Sequence, residues 1–425
     1  MLSHNFFTIL KSGLDTAPIT DDDIVALKAC TQEEWQQLAD LAVKQSVAGV
    51  FFDGIQHLYQ TYGDVLPKED WAREIKGRLF GITMQLEQRN RKQVAVMNKV
   101  GSFLKRHGCQ MMVMKGQACA TMYPNPLHRS IGDIDCYLYD DYAKGNELIR
   151  QTGVHVDDSW YKHSEFCIEG ETFENHQYFV TTRGGERYKR LDRKLKVLAN
   201  GGTTDNGQRT TDNGLFSTLN SANNSLYSEY TDSADSADSA HARYNSSEFD
   251  SALAHSQISN PNAQRSSLNV QYPPVMFNAL FLTYHACIHF VSEGLRLKQV
   301  LDWVMFVKAH QEEVDWKVLH AMCVEFKLDR FLNVMNAIAV EVFGVEKKAK
   351  EMVCESPYVE KVMNSILYDD DYIFNSAEGK WQQRLHIVGN MIKYRWKYRD
   401  ICQQSIISHL WTSVVGFIFR TEEND

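Results

Sequence analysis

An Asp-x-Asp pair set inside an apolar run constrains this chain more than any other feature. Between Ile131 and Leu138, Asp133 and Asp135 alternate with Ile134, Cys136 and Leu138. In a β-strand alternate side chains share a face, so both acids point one way and the apolar residues the other. Burying two carboxylates side by side is costly unless a cation compensates. The spacing therefore predicts a strand over 133–139 whose acidic face holds a divalent metal, Mg²⁺ first. Solvated acids at a strand end are the plainer alternative.

The surrounding pattern supplies a small sheet. Met111–Met114 reads as a short apolar strand, Gly116–Met122 as a helix start and Asp141–Gln151 as a helix. Two more strands are predicted, Glu165–Ile168 and Thr172–Val180, joined by a turn at Glu169-Gly170. Elsewhere the periodicity is helical. Thr31 and Glu34 form a capping-box pattern ahead of Trp35, Leu38, Leu41 and Ala42. A long stretch from Trp71 to Arg106 carries Ile75, Leu79, Ile82, Leu86, Val94, Val96 and Phe103 as its core stripe, and Gly108 ends it. After Pro273-Pro274 amphipathic stretches return, beginning with Phe277, Leu280, Phe281, Tyr284, Ile288 and Phe290, then Leu297–Ala309, Trp316–Phe326, Arg330–Phe343 and Lys380–Tyr398.

Between these parts, residues 200–270 repeat Thr-Thr-Asp-Asn-Gly and Asp-Ser-Ala and carry few bulky apolar side chains. Such a segment cannot bury enough surface to offset its ordering entropy, which predicts a disordered insertion. The expected organisation is an α+β chain. A helical region spans 1–107, a small mixed-sheet core 108–199, the insertion 200–270 and a helical domain 271–425.

With 425 residues, the chain is long enough for two or three cores. Its net charge of −9 argues against a broad nucleic-acid surface, so DNA is not an expected partner. Nine cysteines without a C-x-x-C pair read as reduced thiols in a cytoplasmic protein. Met1–Gly13 lacks the features of a signal peptide. No membrane span is predicted either. The nearest run, Ile406–Phe419, is short and interrupted by Ser408, His409 and Thr412.

The order Lys115-Gly116, Tyr123-Pro124-Asn125-Pro126, Arg129 and Asp133-Ile134-Asp135 resembles the DNA polymerase β-like nucleotidyltransferase superfamily. More narrowly it looks like a family of uncharacterised nucleotidyltransferases. His285-Ala286-Cys287-Ile288-His289, Leu295-Arg296-Leu297 and Leu301-Asp302 look like that family's helical half.

The resemblance implies transfer of a nucleoside monophosphate from an NTP, ATP among them, to a hydroxyl-bearing acceptor, with release of pyrophosphate. The acceptor is a small molecule, a protein side chain or an RNA 3′ end. Mg²⁺, or Mn²⁺ in its place, would be held by Asp133, Asp135 and a third carboxylate from a neighbouring strand. Glu174 is the choice, because alternation puts Glu174 and His176 on one face and the family has Glu-x-His there. Glu165 and Glu171 are rivals, and Glu169 belongs to the turn. Gly116 would let backbone N–H groups approach the triphosphate. Arg129 and Ser130 are further triphosphate ligands, the arginine by bidentate contact.

The superfamily's usual turn is Gly-Gly or Gly-Ser. Lys-Gly here leaves open whether Lys115 binds phosphate or packs. Plainer readings stand beside these: Glu174 as an ordinary exposed residue, Lys115 and Arg129 as salt-bridge partners, and His163 and His176 as structural histidines beside the site. His285 and His289 share a helix face as zinc ligands can, but no third ligand lies nearby, so a cleft-lining pair is preferred. The basic run Arg187, Lys189, Arg190, Arg193, Lys194 and Lys196 reads first as a solvated helix face. A function of another class is a catalytically silent nucleotide- or partner-binding module, regulatory or of toxin–antitoxin type. Retention of two costly adjacent acids argues against it.

Overall fold

The computed structural model describes residues 2–182, 185–202, 269–292, 294–369, 389–390 and 392–403. Nearly all of the expected insertion, the run 406–419 and much of the stretch 380–398 lie outside the described residues. Contacts divide the chain into two units, one of residues 1–83, 183–191 and 275–425, the other of 84–182 and 192–274.

The first unit is helical. It holds α1 (Leu2–Leu14), α2 (Asp21–Lys28), α3 (Gln32–Lys44), α4 (Ala48–Tyr62) and the first turns of α5 (Asp70–Arg106), with helices at Val275–Ser292, Leu297–His310, Trp316–Phe326, Asp329–Ala337 and Val359–Tyr368. Thr20 with Asp23 and Thr31 with Glu34 close capping boxes on α2 and α3, the second as predicted. α1 and α4 cross at Gly13 and Gly54, where a Cβ on either would strike the backbone of the other helix. The buried Gln45 amide donates to the Ile366 carbonyl (2.8 Å), and its oxygen accepts from the Leu297 N–H (2.9 Å). Val275–Ser292 is long and apolar enough to cross a membrane by length and composition, which the sequence reading passed over. Most of it is buried within the fold, as a core helix is.

The second unit carries the sheet: β1 (Met112–Met114), β2 (Ile134–Tyr137), β3 (Val156–Asp157), β4 (His163–Ile168) and β5 (Glu171–His176), in the order β1-β2-β5-β4-β3. β2 and β5 are parallel and the other pairs antiparallel, so the chain is α+β with a mixed sheet. α6 (Gly116–Ala120) follows β1, α7 (Tyr142–Arg150) follows β2, and α8 (Glu186–Ala199) begins after β5. The β4–β5 turn sits where predicted. Glu169 (φ 52°) and Gly170 (φ 77°) both take the positive φ that a two-residue hairpin loop needs.

Alternation then sorts the two faces. Ile134, Cys136, Phe166 and Phe173 pack on Val96, Met97, Val100, Phe103 and Leu104 of α5. Asn146 of α7 seals the same side, its oxygen accepting from Ser164 Oγ (2.8 Å) and Asn175 Nδ2 (2.9 Å). Asp135 and Tyr137 of β2, His163 and Glu165 of β4, and Thr172, Glu174 and His176 of β5 belong to the opposite face.

Candidate active site

That opposite face gathers the predicted acids by strand register. Asp135 and Glu174 are Cα partners across the parallel pair, Glu165 is opposite Glu174, and His163 is opposite His176. Asp135 is buried, at 7% exposure, and its Oδ1 is met by Lys115 Nζ at 2.5 Å and by His176 Nε2 at 2.9 Å. His176 Nε2 also lies 3.4 Å from Glu174 Oε2, and His163 Nε2 lies 3.9 Å from Glu174 Oε1. Asp133 stands one residue before β2, so the strand begins later than predicted.

The two aspartates of the pair differ in electrostatics. Burial alone would push the Asp135 carboxyl up. The Lys115 charge and the hydrogen bond and charge of His176 overcome that and hold it well below the usual carboxylate range. Asp133 is pushed up, first by desolvation and then by the charges of Glu174 and Asp135. Glu174 is held down, chiefly by its hydrogen bond with His176. Burial and the nearby Lys115 lower Lys162, a residue the sequence reading missed, while Asp135, Glu174 and Asp192 pull it back.

Lys115 reaches Asp135 from an unusual backbone. It caps α6 at φ 48° and ψ −131°, a region that side chains rarely occupy. The chain bears the strain there and gains an ammonium group on the Asp135 carboxylate. Gly116 sits against the entry to that strand, since the nearest atom to a Cβ there would be the Asp133 carbonyl oxygen at 3.7 Å.

A cluster of buried amides fixes the loop leading into β2. Asn90 Nδ2 donates to the carbonyls of Leu127 (2.8 Å) and Arg129 (3.1 Å), and Gln93 Nε2 to that of Gly132 (2.7 Å). Gln117 Nε2 of α6 bonds the Asn90 and Gln93 side-chain oxygens, each at 2.9 Å. Glu87 accepts from His128 Nε2 and from Arg91 Nη2, both at 2.8 Å. Arg129 is buried, and its guanidinium donates to the Ser130 carbonyl at 2.9 Å. Arg129 and Ser130 thus lie on the clamped loop, whereas Lys115, Asp135 and Glu174 share direct contacts or register.

The rivals to Glu174 go elsewhere. Glu171 pairs with Lys92 (3.5 Å) and Gln93 (3.3 Å) of α5, and Glu169 with Lys99 (2.7 Å). Glu165 shares the face of Glu174 but is exposed. His285 and His289 are bonded to each other, Nε2 to Nε2 at 3.1 Å. In the basic run, Arg187 lies over the Tyr188 ring and Lys189, Arg190 and Lys196 meet Glu186, Glu325 and Asp192.

Residues 31–205 match the model of a family described as uncharacterised nucleotidyltransferase. It is the family that the Lys-Gly, Arg and Asp-Ile-Asp motifs resemble, and the matched segment holds all of them together with Glu174 and His176. It takes in less than half of the chain, and the helices from Val275 onward lie beyond it. No curated protein and no solved structure matches the chain significantly.

Proposed function

We propose that this chain is a metal-dependent nucleotidyltransferase that moves an NMP group from an NTP to a hydroxyl-bearing acceptor and releases pyrophosphate. The observation that carries the reading is the register of Asp135 against Glu174 on adjacent parallel strands, with Asp133 one step upstream. Carboxylate oxygens are the donors that Mg²⁺ or Mn²⁺ takes, so this donor set fits such an ion. Asp133, Asp135 and Glu174 would hold it, and when bound it would supply charge stabilisation at the attacking and leaving oxygens.

The chain's own groups have definable tasks. Lys115 neutralises Asp135 in the free protein and would turn to a phosphate oxygen bound beside it. Gly116 leaves room beside the Asp133 carbonyl for a phosphate. Arg129 and Ser130 supply further contacts to the triphosphate. Glu174 would ligate the metal at the acceptor hydroxyl or take that hydroxyl's proton. The nine free cysteines suit a reducing, cytoplasmic setting.

One observation favours the silent-module reading. The Lys115–Asp135 pair at 2.5 Å satisfies the buried acid with a cation of the chain itself. Labelled NTPs with Mg²⁺ and candidate acceptors separate the two. The transferase is expected to release pyrophosphate with at least one NTP, and Asp135→Asn to abolish that release. No release with any of the four NTPs, together with unchanged NTP binding by Asp135→Asn, would sink the enzyme reading.

A further inference from the structure

One imidazole among the carboxylates is arranged as metal-bound histidines are. His176 is 1% exposed, and its Nδ1 lies 3.3 Å from the Tyr178 carbonyl. In the tautomer with its proton on Nδ1, the ring would donate to that carbonyl, as the far N–H of a ligating histidine commonly does. Nε2 faces two carboxylates, Asp135 Oδ1 at 2.9 Å and Glu174 Oε2 at 3.4 Å. In that tautomer the Nε2 lone pair is turned to both acids, an arrangement that a cation among them would satisfy.

The other side of Glu174 repeats the arrangement with a second ring. His163 Nε2 is 3.9 Å from Glu174 Oε1, and among the described residues its buried Nδ1 has no hydrogen-bond partner. Ligand atoms of His163, Glu174 and His176 all lie within 4.8 Å of one another. Atoms bound to one cation at about 2.1 Å stand roughly 3.0–3.4 Å apart at octahedral or tetrahedral angles. The two His176 separations are close to that range, and rotation of the half-buried His163 side chain closes the wider gap.

We propose that His163, Glu174 and His176, with Asp135 beside them, bind a first-row transition dication such as Mn²⁺ in preference to Mg²⁺. Imidazole nitrogen suits such ions, whereas Mg²⁺ takes oxygen ligands and keeps its waters. The proposal rests on the transferase reading for what the ion does, not for whether it binds.

The test uses the full chain, stripped with a chelator and titrated with MnCl₂, free Mn²⁺ being read by electron paramagnetic resonance. Mn²⁺ is expected to bind about tenfold or more tightly than competing Mg²⁺. Pulsed measurements should show coupling of bound Mn²⁺ to imidazole nitrogen. His163→Gln and His176→Gln should each weaken binding by about tenfold or more and remove part of that coupling. Should the buried His176 variant fail to fold, the nitrogen signal of the unaltered protein decides. Bound Mn²⁺ without nitrogen coupling, or equal affinity for the two ions, overturns the proposal. Pyrophosphate release is followed in the same samples. Turnover without nitrogen coupling removes this site and leaves the transferase. Coupling without turnover leaves the site and removes the transferase.

Discussion

Two polar clusters lie within one unit of this protein, and they are built on opposite principles. Asn90, Gln93 and Gln117 are neutral, at most 4% exposed, and their amide nitrogens bond oxygens of the loop or of one another. Asp133, Asp135 and Glu174 bring three carboxylates together beside His163 and His176, with Lys115 as the closest counter-charge. A cluster whose donors and acceptors match is complete as it stands and serves to fix backbone. One with surplus negative charge is completed from outside. The first holds the loop that leads from Leu127 into β2 and so fixes the approach to the second.

The comparison breaks most visibly at Asp135. Replacing it by Ala leaves Lys115 and His176 without the carboxylate they share, and losing one member of a buried pair costs about 3–5 kcal/mol. Urea unfolding of Asp135→Ala should show that loss at neutral pH. The folded carboxyl is depressed below its ordinary value of 3.8, so its stabilisation is full above that pH and fades as pH falls below it. The gap between the two proteins should therefore narrow in acid. A gap that persists at low pH would mean that packing, not charge, was lost.

On the neutral side, Asn90→Ala removes the donor to the Leu127 and Arg129 carbonyls and strands both in the interior. Stability should drop by about 2–3 kcal/mol. Mn²⁺ affinity of the folded fraction should change far less than in His163→Gln. Equal loss of metal binding in both would abolish the distinction between scaffold and site.

The acid cluster was legible in the sequence and the amide cluster was not, for a physical reason. Asp135 and Glu174 lie in short alternating strands and Asp133 one residue before the first, where a charged side chain stands out against apolar neighbours. Asn90 and Gln93 sit in a helix, where polar residues are ordinary. Yet Leu79, Thr83, Leu86, Asn90, Gln93, Met97, Val100 and Leu104 fall at alternating steps of four and three, and all are buried. The predicted stripe shares only Leu79 and Leu86 with this row and held no polar residue, so the two amides, like Met97, Val100 and Leu104, went unread. Lys162 escaped for another reason. It precedes β4, and only the bend that brings the Gln177 and Tyr178 N–H groups to its carbonyl sets it beside the acids.

Lys115 links the turn to the acids, and its strain can be separated from its charge. Both Lys115→Ala and Lys115→Gly lose the ion pair with Asp135. Only glycine takes φ 48° and ψ −131° without strain. Lys115→Gly should exceed Lys115→Ala in stability by about 1–3 kcal/mol, read from paired urea curves. Equal stability would mean that the turn relaxes freely, and the lysine would then carry no conformational cost at this position.

The smallest effect is expected at Asp133, and its sign is opposite to that at Asp135. Glu174 and Asp135 repel this carboxylate, and desolvation adds to the repulsion, so its folded value lies above 3.8. A raised carboxyl makes folding less favourable once it is ionised, and the penalty disappears as pH falls through the folded value. Asp133→Asn should therefore stabilise the metal-free protein at neutral pH. Water screens this exposed group, which limits the gain to about 0.5 kcal/mol, and it should vanish in acid. If Asp133 joins the metal ligands, as the proposed function has it, the order should reverse with Mn²⁺ added, because the variant would lack a ligand and Asp133 would gain the cation its repulsion invites. A thermal melt series with and without MnCl₂ reads both signs. An aspartate that stabilises in the metal-free state as well would be an ordinary solvated acid at a strand end, and the surplus charge of the cluster would then reside in Asp135 and Glu174 alone.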